Sequence, residues 1–184
     1  LEFNDDLIEA YTLLPKLVSH VHLPVQSGSD AILAAMKRNH SAEDYLQRIR
    51  KLKAARPDIH ISSDFIIGFP NETDQDFVDT MNLIAEVDYD HSYSFIYSKR
   101  PGTPASELPD NTSEEDKKQR LAILKERIKQ NTERKTRAML GTTQRILVEK
   151  ISDRNDDYMV GTAENTRQVL LPRNDALIGK FADV

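Results

Sequence analysis

The residues that could do chemistry lie in three polar stretches, Gln26-Ser27-Gly28-Ser29, Gly68-Phe69-Pro70-Asn71-Glu72-Thr73 and Ser98-Lys99-Arg100-Pro101-Gly102-Thr103. Each follows a β-rich run. Gln26 carries an amide that both donates and accepts, which suits a pair of ribose hydroxyls or closes an ordinary strand-end turn. Ser27 stands beside it among small residues. Asp64 sits inside an apolar run, ahead of Phe65-Ile66-Ile67, and a carboxylate there needs partners: it is a structural acceptor or a ligand for hydroxyls. Gly68 lets backbone approach a ligand closely, and Pro70 sets the turn. Arg38 could clamp a carboxylate with two parallel hydrogen bonds, or lie on the surface.

Other chemistries are excluded. The chain has no cysteine, so it holds neither a disulfide framework nor a Cys-ligated zinc or iron–sulfur cluster. The five histidines do not space as a metal set: His20 and His22 alternate on one run, while His40, His60 and His91 are scattered. They read as structural or surface residues. No hydrolase-type serine elbow and no phosphate-binding lysine loop occurs.

The elements that must position these residues alternate. Asn4 can cap a helix ending near Leu14-Pro15. His20 to Val25 reads as a strand, Asp30 to Lys37 as a helix, and Ser41-x-x-Asp44 as a capping box opening a helix through Tyr45, Ile49 and Leu52. Ile59 to Ile67 is β-rich, Thr73-x-x-Asp76 opens a further helix, and His91 to Tyr97 is a third strand. Lys99 to Asn111 is a loop, and Ser113-x-x-Asp116 opens a long helix to about Met139. Such alternation predicts parallel strands with helical crossovers, in a barrel or an open sheet, with the ligand site at the strand ends. After Gly141 the texture changes to short β-like runs, 144 to 151, 158 to 162, 168 to 171 and 178 to 184, which suggest a small barrel or sandwich. The predicted boundary divides the chain into 1–135 and 136–184.

The net charge of −5 conceals a split. Residues 1–98 carry 8 basic and 16 acidic side chains, whereas residues 117–137 carry 9 basic and 2 acidic. A basic stripe on an acidic chain invites a polyanion or is a solvated helix face. Lys117, Lys118, Arg134, Lys135 and Arg137 are its candidates for the charges of a polyanion, joined by Arg145 and Arg167 further on. No apolar run is long enough to cross a bilayer, and Leu1 to Leu14 interleaves Glu2, Asp5, Asp6 and Glu9, unlike a secretion signal. The reading is therefore cytoplasmic, with no membrane partner.

Four motifs in order carry a resemblance. His22-Leu23-Pro24-Val25-Gln26-Ser27-Gly28-Ser29-Asp30 with Met36-Lys37-Arg38, then Ser63 to Thr73, then Tyr93 to Ser98, then Arg100 to Ala105, resemble the methylthiotransferase branch of the radical S-adenosylmethionine superfamily. The segment from Arg137, with Gly141-Thr142-Thr143-Gln144, Gly161-x-x-Glu164-Asn165-x-Arg167 and Ile178-Gly179-Lys180, resembles a TRAM domain, a small RNA-binding β-barrel. The resemblance implies an α/β fold, the C-terminal part of a partial (β/α) barrel followed by an all-β TRAM barrel. It implies S-adenosylmethionine as cofactor and two [4Fe-4S] clusters whose ligands are absent here, so that this piece is expected to be inactive alone. Ser27-Gly28 is similar to the tRNA-modifying branch, which adds a methylthio group to an isopentenylated adenosine beside the anticodon. The sister branch, modifying an aspartate of a ribosomal protein, tends to have His-Ala there, and a non-catalytic RNA-binding module is the reading from another class. By this resemblance Gln26 and Asp64 face the cofactor ribose, Arg38 its carboxylate, Gly68, Pro70 and Tyr97 flank the adenine, and Ser27 is a further cofactor-binding residue. The sulfur donor is left open. The missing initiator Met and cluster cysteines suggest that the piece begins after both cluster-binding parts.

The absence of cysteine sets the first expectation: the purified 184-residue chain binds neither iron nor S-adenosylmethionine tightly. Elemental analysis and titration calorimetry check it, and tight binding of the cofactor overturns it.

Overall fold

The structure is a computed structural model describing residues 3–184; Leu1 and Glu2, part of the argument against a secretion signal, lie outside the described residues. Two sheets form it. Strands β1 (His20–His22), β2 (His60–Ile67) and β3 (His91–Ile96) make a parallel sheet in the order β1-β2-β3, and β4 (Arg145–Ile151), β5 (Tyr158–Ala163), β6 (Gln168–Pro172) and β7 (Phe181–Asp183) make an antiparallel one in the order β6-β5-β4-β7. Helices α1 (Asp5–Leu13), α2 (Asp30–Ala35), α3 (Ala42–Ala55), α4 (Asp74–Val87) and α5 (Glu114–Ala138) complete the chain with two short 3-10 turns.

Local chemistry explains the helix starts. Ser41 with Asp44 and Thr73 with Asp76 form reciprocal capping boxes at α3 and α4, satisfying otherwise orphaned N–H groups. Helix α5 begins at Ser113, whose hydroxyl accepts from the Asp116 amide, behind three acidic residues that suit the positive end of the helix dipole. Strand β1 is shorter than predicted, because Pro24 has no N–H to extend the ladder. The chain rejoins β2 at Gln26, whose amide donates to Asp64 O at 2.9 Å and whose carbonyl accepts from Ile66 N at 3.0 Å. The predicted last run, 178–184, keeps only β7, since Gly179 turns with φ 77° after the 3-10 turn Asp175–Leu177.

Ile61, Phe65 and Ile67 of β2 alternate onto one face and are fully buried against Tyr45, Ile49, Leu52, Ile84, Leu124 and Ile128 of the helices. Tyr45 donates to Leu23 O at 2.9 Å and accepts from the Tyr89 hydroxyl at 3.1 Å, so the buried phenols are matched. The smaller sheet packs Ile146, Val148, Met159, Ala163 and Leu171 into a separate core.

Helix α5 runs unbroken across residue 136, so the predicted boundary falls inside its last turn. The antiparallel sheet meets the parallel one where the parallel strands start. There Asp90, buried just before β3, accepts from Arg167 Nη2 at 2.6 Å, contacts Lys135 Nζ at 3.4 Å and pairs with His60. Burial alone would raise the Asp90 carboxyl. The His60 hydrogen bond, the Lys135 and His60 charges and the Arg167 bond outweigh burial and hold it well below its ordinary value of 3.8. A carboxyl depressed by folding contributes stability above its unfolded value and loses it as pH falls toward the folded one. The unfolding free energy should therefore decline from about pH 5 to pH 3, and Asp90→Asn should decline less steeply over that range. Urea titrations of both proteins across that range check this, and parallel slopes would contradict it.

Candidate functional site

A cleft of about 710 Å³ opens beyond the C-terminal ends of β2 and β3. Its chemistry comes from Arg38, Ile66, Phe69, Phe95, Tyr97 and Arg100. Arg38 reaches it because α2 is short. Ser29 caps that helix, and after Met36 the chain turns through Lys37 at φ 57°, with Arg38 N donating back to Leu33 O at 2.9 Å. The guanidinium is left exposed at the rim. Phe95 is 59% exposed on the same face. Tyr97 continues the β3 ladder through its amide to Ile67 O at 2.8 Å, and its ring meets Phe69 edge-on at 5.0 Å. Its hydroxyl is buried and has no hydrogen-bond partner among the described residues. An unmatched buried hydroxyl beside a cleft is a place for a ligand's polar atom.

The turn that delivers Phe69 is held from behind. Gly68 adopts φ 69°, and a Cβ there would collide with the Lys117 side chain, so only glycine fits under α5. Its amide donates to Glu72 Oε2 at 2.9 Å. Glu72 is buried; Arg120 donates to the same oxygen at 2.9 Å, to Glu72 O at 3.1 Å and to Asp74 at 2.7 Å. Burial pushes the Glu72 carboxyl up, against the bonds from Gly68 and Arg120. Pro70 is buried within this turn.

Of the residues expected at the cofactor, Arg38 and Tyr97 line the cleft directly, and Gly68 and Pro70 flank its Phe69. Gln26 lies beside it, bridged to Phe65, in a left-handed conformation at φ 79°. A non-glycine residue there stores strain, and its ladder bonds on both sides keep it in place. Asp64 lies one step down the open face of β2 from Ile66, half-buried, with its carboxylate 3.3 Å from His22 Nε2. Ser27 is elsewhere: its hydroxyl turns into α4, 3.2 Å from Thr80 Oγ1, and accepts from Ser29 N. It shapes the turn because the Gly28 backbone must pack against Asp79 and Thr80.

Three of the histidines, His20, His22 and His91, come together in space. His20 and His22 both contact Ser62 Oγ, at 3.2 and 2.9 Å, and Tyr93 stands between the rings of His22 and His91. Strand register brings them onto one open face, a pattern that period-2 spacing hints at only within β1. No group of three or more His, Asp or Glu able to hold a metal ion occurs among the described residues. Arg100 was not foreseen; its Arg-Pro-Gly-Thr loop was the only signal.

The basic stripe divides. Lys117 is 3% exposed and bonds Asp110 and Glu114 at 2.6 and 2.8 Å, Lys135 bonds Asp88 O, and Arg134 pairs with Asp88. Burial lowers the Lys117 ammonium, but its two carboxylate partners reverse this and raise it. Lys117, Lys135 and Arg167 are thus internal ties and do not present charge to a phosphate: Asp110 and Glu114 hold the first, and Asp88 and Asp90 hold the other two. Lys118, Arg137 and Arg145 are exposed, the last lying over the Phe181 ring at 4.6 Å. That pair, with Leu147 beside Phe181 across β4 and β7, makes an exposed apolar face on the small sheet.

The Radical SAM superfamily model matches residues 1–84 and the TRAM domain model residues 137–184. Residues 1–84 are thus a radical SAM superfamily region, in an arrangement that ends in a TRAM domain. More particularly, the chain is 61% identical across its whole length to the tRNA-2-methylthio-N(6)-dimethylallyladenosine synthase of Psychrobacter cryohalolentis. It is 57% and 58% identical to the proteins of that name from Acinetobacter baylyi and Alcanivorax borkumensis. In each case all of this chain is covered but only 38%, 38% and 42% of the relative, so the chain spans about two fifths of their length.

Glu72 and Arg120 carry the stability of the cleft wall. Arg120→Ala leaves a buried carboxylate unpaired and should cost about 3–5 kcal/mol. Chemical denaturation measures this, and a loss within about 0.5 kcal/mol would show that the pair does not brace the turn.

Proposed function

We propose that this chain is the cofactor-orienting wall and RNA-holding end of a radical S-adenosylmethionine tRNA methylthiotransferase. The substrate is an isopentenylated adenosine beside the anticodon, and the reaction is 2-methylthiolation. The observation that carries the reading is the cleft at the strand ends. It holds a rim guanidinium and an unmatched buried hydroxyl, in a chain alike throughout its length to enzymes of that name.

The residues fit S-adenosylmethionine. Arg38 has the fork geometry for the cofactor's carboxylate. Ile66, Phe69 and Phe95 provide an apolar wall for a purine, and Tyr97 can bond one polar edge. Gln26, whose carbonyl accepts from Ile66, and Asp64, one step from Ile66 on the open face of β2, are the candidates for a ribose. When bound and cleaved reductively, the cofactor supplies an adenosyl radical, and the protein's share is positioning and shielding. The chain's residues do not fit an iron–sulfur cluster, for want of cysteine. Both [4Fe-4S] clusters of this reading belong to parts of the enzyme beyond this sequence. For RNA, Lys118, Arg137 and Arg145 supply salt-dependent contacts, while Phe181 and Leu147 offer a surface on which unpaired bases can stack. The domain division is 1–135 and 136–184, with α5 shared. A tRNA-modifying role places the enzyme in the cytoplasm; no helix among the described residues is long and apolar enough to cross a membrane.

In the full-length enzyme, Arg38→Ala should raise the dissociation constant for S-adenosylmethionine by about tenfold or more, the loss of a charge-assisted pair. Calorimetry measures this, and mass spectrometry of tRNA nucleosides follows the 2-methylthio product. An unchanged constant removes Arg38 from the site, and an enzyme that leaves isopentenyladenosine unmodified overturns the reading.

A further inference from the structure

Arg167 lies in the turn between β5 and β6, on the small antiparallel sheet of the TRAM domain, but its charge belongs to the other sheet. Its side chain is 17% exposed, and Nη2 donates to the buried Asp90 carboxylate at 2.6 Å while Nε donates to Thr136 Oγ1 at 3.1 Å. Asn165, two residues earlier, is buried with Nδ2 3.2 Å from Met139 Sδ. A small polar groove between Ser19, Asp58 and His60 on one side and Gln144, Arg145 and Asn165 on the other follows the same seam. All of these contacts lie at the strand starts. The cleft lies at the strand ends, roughly 20 Å away along the six residues of β3.

We infer that the Arg167–Asp90 pair is a positioning lock that holds the barrel at a set distance and orientation from the cleft. Arg167 then acts on which nucleotide reaches the cofactor, and not on RNA phosphates. The inference rests on the RNA reading proposed above. Two features support it. Asp90 cannot tolerate losing a partner, since a buried charge needs its hydrogen bonds. Arg167 uses two donors, Nη2 and Nε, on different elements, Asp90 before β3 and Thr136 in α5, which fixes direction as well as distance. A barrel held about 20 Å from the reacting base grips another part of the RNA and works as a ruler, and small misplacements of a substrate cost large factors in rate.

The test has two arms. In the 184-residue chain, nitrogen-15 relaxation should give both sheets one tumbling time, Arg167→Ala should give the barrel a shorter time of its own, and Arg167→Lys should keep most of the coupling. In the full-length enzyme, Arg167→Ala and Asp90→Asn should each lower tRNA methylthiolation by about tenfold or more, while cofactor cleavage without tRNA stays unchanged. The slope of log affinity for tRNA against log salt should also stay unchanged. A direct phosphate contact predicts otherwise: Arg167→Ala would reduce that slope by about 0.7–0.9, and Asp90→Asn would tighten binding by freeing the arginine. Either of those results, or common tumbling in Arg167→Ala, overturns the lock. Separate tumbling in Arg167→Ala together with a wild-type enzyme that modifies no tRNA upholds the lock as a joint and discards the RNA reading instead.

Discussion

The structure depends on one arrangement: cations of α5 turned inward onto carboxylates of the loops at both ends of the parallel sheet. At its start, Lys117 and Arg120 hold Asp110, Glu72 and Asp74; near its finish, Arg134 and Lys135 hold Asp88 and Asp90. A 25-residue helix spans about 37 Å, long enough to cross the sheet from the cleft to the strand starts. Surface ion pairs contribute little, but these include Glu72 and Asp90, which are buried and could not stay charged unpartnered. The helix therefore braces the turn that carries Phe69 and also the seam that carries the barrel.

This arrangement joins the two ends of the proposed activity. The cleft side needs a turn that keeps still while backbone approaches a ligand, which the clamped glycine and the buried carboxylate provide. The RNA side needs a barrel whose exposed face is not spent on holding itself in place. Arg167 and Asn165 take the holding role at the seam, and Arg145, Leu147 and Phe181 remain exposed. Residues 138–184 carry six basic and seven acidic side chains and are a poor electrostatic magnet, so the exposed apolar face of the small sheet and the outer side of α5 share the proposed work.

Much was legible in the residues themselves. Capping boxes, the β-rich runs and the polar loops after them announce parallel strands with a site at their ends, because caps, alternation and turn chemistry are local and carry their physics within a few residues. Arg38, Gly68 and Pro70 were readable as site candidates for the same reason, whereas Tyr97 came only from the family resemblance. The direction of the Ser27 hydroxyl was not readable, since its neighbour Thr80 is some fifty positions distant and only the packed α4 shows which way it turns.

What the sequence determined by itself is the order of elements, the absence of cluster-binding cysteine and the total of charge along the chain. What only the tertiary structure decided is where that charge is spent. The nine cations of residues 117–137 and the sixteen acids of the first half read as separate properties in one dimension. Folding brings three of those cations, Arg120, Arg134 and Lys135, onto the acids, because a desolvated charge is stable only beside its opposite. The same holds for the histidines: strand register, which no single strand encodes, gathers His20, His22 and His91 onto one face.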